Sequence, residues 1–105
     1  MSAARGVFRG NAGQREQGTW VQFDLHVQGG CILEARFLAF GCPHTIAAAS
    51  WVAEQASGGP LRAALPEPVQ ALRERFGVPQ QKLGRLLILE DAWLAATRAA
   101  IDSGV

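Results

Sequence analysis

The chain has 105 residues, 49% of them hydrophobic, and a formal charge of +1. That length favours one domain over residues 1–105, with a small but real core. Basic residues are scattered from Arg5 to Arg98, which argues against nucleic acid, and no apolar run approaches the roughly 18–20 residues that cross a bilayer.

The opening stretch MSAARGVFRGNAG lacks the apolar segment of a secretory signal, so the expected location is cytoplasmic. Residues 1–18 are rich in Gly, Arg, Gln and Asn. They read as a loose N-terminal arm with at most a short strand at Gly6–Arg9. TWVQFDLHV then alternates. Val21, Phe23, Leu25 and Val27 share one face, and Trp20, Gln22, Asp24 and His26 the other, as in a half-buried strand. Gln28–Gly30 is a turn signal. CILEARFLAF follows as a second strand, with Leu33, Ala35, Phe37 and Ala39 assigned inward and Glu34 and Arg36 outward.

Gly41 stops that strand, and Pro43 suits the first turn of a helix. The helix carries Ile46, Ala49, Ala53 and Ala56 at helical spacing and ends at Gly58–Gly59–Pro60. A short amphipathic helix follows, with Val69, Leu72 and Phe76 as its stripe and Glu67 in its first turn. VPQQ reads as a linker, and the segment from Lys82 to Gly104 as a long, mostly apolar helix. Strands first and helices after predict an α+β domain, with helices on one face of an antiparallel sheet.

Cys42 sits where strand turns into helix. Free N–H groups and the helix dipole there favour a thiolate, so a nucleophile, a metal ligand and a redox switch all suit the position. A small residue filling a tight turn suits it equally. His44, two residues on, reads as a second ligand, a proton carrier or a plain surface residue. Cys31 opens a strand after Gly-Gly and reads as structural. Two cysteines are too few for a disulfide framework, and with His26 and His44 their spacing matches no standard zinc pattern.

CILEARFLAFGCPHTIAAASWVAEQASG resembles the U-type iron–sulfur cluster assembly scaffolds (IscU, SufU and the N-terminal part of NifU). Ala35, Phe37, Gly41, Cys42, Ile46, Ala47, Ser50, Glu54 and Gly58 fall in register, as does Glu90–Asp91–Ala92 in the last helix. The likeness covers roughly residues 18–102. It implies a three-stranded antiparallel sheet with helices packed on one face. Such scaffolds hold a cluster or zinc with three cysteines plus an aspartate or histidine. Here Gln17 stands at the first cysteine position, Gly18–Thr19 at the following Gly-Asp, Cys42 at the second cysteine, and Gly84–Arg85 at the third. The Leu-Pro-Pro-Val-Lys stretch gripped by a chaperone in some members becomes VPQQK, keeping Pro79 and Lys82.

A single thiolate cannot close a four-ligand shell, and Arg85 disfavours a bound cation. The resemblance therefore implies an accessory, carrier or sulfur-accepting partner in cluster assembly and not an enzyme. Cys42 is the candidate persulfide acceptor, and Cys42 with His44 the candidate metal ligands. A cluster or zinc is expected only through shared ligation, in a homodimer or with a partner such as a cysteine desulfurase, and not on an isolated monomer. The alternative is a non-catalytic interaction module that kept the fold and lost the metal site. A thiol enzyme with His44 as base is the third reading. It lacks an evident acidic third member.

Overall fold

The computed structural model describes residues 5–103. The chain order is β1 (Arg5–Gln14), β2 (Thr19–Gln28), β3 (Cys31–Phe40), α1 (Pro43–Ala56), α2 (Val69–Arg75) and α3 (Leu83–Ser103), with 3-10 turns at Arg15–Gln17 and Gln80–Lys82. The strands form one antiparallel sheet in the order β1-β2-β3. Val21, Phe23, Leu25 and Val27 are all fully buried, as their alternation predicts. They face α3, which lies across β1 and β2, while α1 lies on β3. Phe23 meets Trp93 edge-on at a centroid distance of 5.2 Å. The Trp93 indole N–H donates to the Ala64 carbonyl at 3.2 Å, so the buried ring keeps its polar partner.

The N-terminal stretch corrects the expectation of a loose arm. Residues 5–14 are a ten-residue strand paired along its whole length with β2 (residues 1–4 lie outside the described ones). The alternation is hidden because two inward positions are glycines. Gly6, Phe8, Gly10 and Ala12 face the core side and oppose Val27, Leu25, Phe23 and Val21. Gly10 is required there. A Cβ at that position would lie 2.1 Å from the Ala96 nitrogen and 2.6 Å from the Ala92 oxygen, so α3 rests its backbone directly on the strand.

In β3 the expected inward face breaks at Leu33. The register shifts between His26 and Val27, so Val27 opposes Ile32 and His26 opposes Glu34, leaving Leu33 as an extra residue. This β-bulge turns Ile32 inward and leaves Leu33 47% exposed. The outer edge of β3 is closed at its start by the loop after α1. Ile32 N–H donates to Gly59 O at 2.8 Å, Gly58 N–H to Ile32 O at 2.7 Å, and Ala35 N–H to the Ser57 hydroxyl at 2.9 Å.

Two helix details also differ from expectation. In α1 the buried face is Thr45, Ala48, Ala49, Val52, Ala53 and Ala56, and Ile46 points outward. Glu67 precedes α2, whose N-cap is Pro68, and pairs with Arg75 at 2.6 Å. Among the described residues no helix is long and apolar enough to cross a membrane.

Candidate functional site

The site forms where β3 ends and α1 begins. Gly41 takes φ +154, and a Cβ there would lie 3.3 Å from the Gly18 carbonyl, so the chain passes close to the start of β2. Cys42 follows as the N-cap of α1, in extended conformation, and Pro43 takes the first helical position, where an N–H would have no partner. The Cys42 carbonyl accepts the Thr45 N–H at 3.0 Å, which starts the helix. Strand end and helix start thus fix the cysteine backbone, and its side chain is left half-buried.

Three groups set the thiol's character. Burial pushes its pKa up. The Thr45 hydroxyl, 3.3 Å from Sγ, opposes this, as do the Thr45 amide and the hydrogen bond and charge of the Arg85 guanidinium. Together they prevail, and Cys42 is brought down to about 6. At neutral pH the sulfur is then mostly thiolate, with the Thr45 hydroxyl donating to it. Thr45 was missed in reading the sequence. The signal was present, since a side chain at an N-cap meets the residue three positions on.

His44 turns elsewhere. Its Nδ1 lies 3.0 Å from the Phe76 carbonyl, so Nδ1–H donates there and ties α1 to the end of α2. Cys42 and His44 therefore engage different partners. Trp51 packs near the same junction, 6.3 Å from the Phe76 ring and under the Arg75 guanidinium at 4.5 Å. Cys31 lies at the other end of β3 and is exposed.

A cavity of about 300 Å³ lies against Thr19, whose hydroxyl would sit 3.7 Å from a Cβ at Gly41, the residue before Cys42. Gln17, Thr19, Gln81, Lys82 and Arg85 line it over Ile88. The positions assigned by resemblance to the first and third cysteines, Gln17 and Arg85, thus share one cavity, and the Arg85 charge acts on the Cys42 thiol.

The sequence profile of the NifU-like N-terminal domain matches residues 2–100. The chain belongs to this family of iron–sulfur cluster assembly scaffolds. Among similar proteins, the "Iron-sulfur cluster assembly protein IscU" of Plasmodium falciparum (isolate 3D7) is 30% identical over 80 residues, covering 76% of this chain and 49% of that protein. The "Nitrogen fixation protein NifU" of Cereibacter sphaeroides is 40% identical over 65 residues, covering 59% of this chain and 26% of that protein. The chain therefore spans about half or less of the length of these relatives.

Members of the NifU-like family bind iron–sulfur clusters and are generally non-catalytic scaffolds working with the cluster-assembly machinery. The donor set of this chain does not fit a cluster by itself. Clusters are held mostly by thiolates, about four to each. Gln17 and Arg85 offer none, and no group of three or more His, Cys, Asp or Glu among the described residues could hold a metal ion.

Proposed function

We propose that the protein serves cluster assembly as an accessory, sulfur-accepting partner, with Cys42 as the acceptor. The observation that carries this is the half-buried Cys42 sulfur at the start of α1, 3.3 Å from the Thr45 hydroxyl, with its pKa brought down to about 6 by Thr45 and the Arg85 charge. The donor is a persulfide on a cysteine desulfurase. The Cys42 thiolate attacks the terminal sulfur of that persulfide. A new S–S bond forms on Cys42, the donor's S–S bond breaks, and the donor cysteine leaves as a thiolate. No oxidant is consumed, because the sulfane sulfur only changes hands. Arg85 steadies the negative charge that stays on the loaded chain.

Sulfur acceptance needs one thiolate, which this chain has. Holding a cluster or zinc needs ligands from elsewhere, so Cys42 and His44 would contribute to it only beside a second copy or another assembly protein. The expected compartment is the cytoplasm, as is usual in the family. The interaction-module reading draws on one feature. Leu38 and Phe40, 57% and 50% exposed, lie on the helix-free face of the sheet just before Gly41, with Phe40 opposite Trp20.

The test is to mix the purified chain with a cysteine desulfurase and cysteine, then map its peptides by mass. One sulfur atom gained on the Cys42 peptide is expected, with none in Cys42→Ser and full loading in Cys31→Ser. Equal loading of both cysteines, or none, would count against Cys42 and leave the module reading.

A further inference from the structure

The cavity beside Cys42 has a charge opposite to that of a metal site. Its two ionisable lining residues are the cations Lys82 and Arg85, and no carboxylate lines it. The ion pairs among the described residues are Arg9–Asp24, Arg36–Glu34 and Arg75–Glu67, so neither Lys82 nor Arg85 has a carboxylate partner there. The rest of the polar lining, the amides of Gln17 and Gln81 and the hydroxyl of Thr19, can donate hydrogen bonds to an anion. The cavity reaches the turn that carries Cys42, since Thr19 in its lining would lie 3.7 Å from a Cβ at Gly41, the residue before the cysteine, and Arg85 in the same lining is among the groups whose charge acts on the Cys42 thiol.

We propose that this cavity binds a small sulfur oxyanion that carries transferable sulfur, of the thiosulfate class, and presents it to Cys42. The proposal rests on Cys42 being the sulfur acceptor and names a second, small-molecule donor for it. Lys82 and Arg85 hold the sulfonate head, the guanidinium suiting paired oxygens and the ammonium acting as a compact charge. They also offset the repulsion between a dianion and a thiolate, which would otherwise keep the two apart. The Cys42 thiolate attacks the outer sulfur of thiosulfate. The Cys42–sulfur bond forms, the sulfur–sulfur bond to the sulfonate head breaks, and sulfite leaves with the electron pair. The product is the Cys42 persulfide anion. Three negative charges enter and three remain, with no external oxidant or reductant. The leaving sulfite stays against the cations that held it, so they act where charge accumulates.

The experiment loads the intact chain in two arms, one with thiosulfate alone and one with a cysteine desulfurase and cysteine, following the Cys42 peptide mass and released sulfite. Expected in the thiosulfate arm are one sulfite per loaded Cys42, competition by sulfate, a rate at least tenfold lower in Lys82→Gln, and recovery of most of that rate in Lys82→Arg. Loading by the desulfurase but not by thiosulfate overturns the inference and leaves the acceptor role standing. Loading by thiosulfate alone upholds the inference and removes the desulfurase as donor. Thiosulfate loading indifferent to sulfate and to Lys82→Gln makes the reaction that of any exposed thiolate and overturns the pocket. No loading in either arm removes both readings.

Discussion

The two cysteines lie at opposite ends of β3, Cys31 as its first residue and Cys42 two residues past its last, and meet different surroundings. β3 runs from Cys31 to Phe40, a span of roughly 30 Å at about 3.3 Å per residue. A disulfide within one chain is therefore out of reach, since it needs Cα atoms within roughly 7 Å. At the Cys31 end a Gly29–Gly30 turn, with φ of 60 and 76, delivers an exposed side chain, and the backbone there bridges to Pro60. At the Cys42 end three elements converge. The start of β2 approaches Gly41, α1 supplies Thr45, and α3 brings Arg85. Chemistry at a cysteine follows from what the strand end meets, and the meeting depends on how α3 is seated.

The seating is the place to break the contrast. Gly10→Ala puts a methyl group about two ångströms from the α3 backbone, where neither partner is a flexible side chain. A loss of about 3 kcal/mol is expected, the upper part of the range for overpacking, read as a lower denaturation midpoint. Displacing α3 also draws Arg85 from the sulfur, so the reactivity of Cys42 should fall while Cys31 keeps its exposure. A stability within error of the parent would show that α3 does not rest on β1.

A smaller effect sharpens the contrast directly. At a pH of about 6 a thiol with its pKa near 6 is half ionised, whereas one near 8.5 is ionised to roughly 0.3%. Lower basicity takes back roughly a factor of ten in intrinsic nucleophilicity. Iodoacetamide should then label Cys42 roughly tenfold faster than a free cysteine peptide at that pH. The labelling profile should have its midpoint at about 6. Arg85→Met should move that midpoint up, and Cys31→Ser should leave it in place. An unmoved midpoint in Arg85→Met would remove the guanidinium from the account.

Much of this was legible in the sequence where causes are local. The inward face of β2 follows from strict alternation, and the junction at Cys42 from a glycine before it and a proline after it. β1 escaped because Gly6 and Gly10 occupy inward positions, and glycine gives no hydrophobic signal even when a helix backbone demands it. Leu33 misled for a related reason. One extra residue reverses the parity of a strand, and nothing in CILEA marks the bulge. Counting along the family pattern brought Arg85 to a ligand position, but its contact with Cys42 comes from α3 lying across β1 and β2. The bond from His44 to the Phe76 carbonyl spans 32 residues and has no local trace.

The smallest expected effect is on stability, and its sign is fixed by the direction of the Cys42 shift. The folded thiol has its pKa lowered to about 6, while the unfolded one titrates near about 8.5. Between these values the unfolded chain binds more protons than the folded one, so stability rises with pH across that window. The contribution is complete above the unfolded value and is lost as pH falls through about 6. Cys42 is only half-buried, so solvent screens much of the interaction, and a Tm rise of roughly 1–3 °C across the window is expected. Cys42→Ser should remove that rise, and Cys31→Ser should keep it. A rise that persists in Cys42→Ser would assign the pH dependence to other groups and leave the thiolate at Cys42 without a thermodynamic signature.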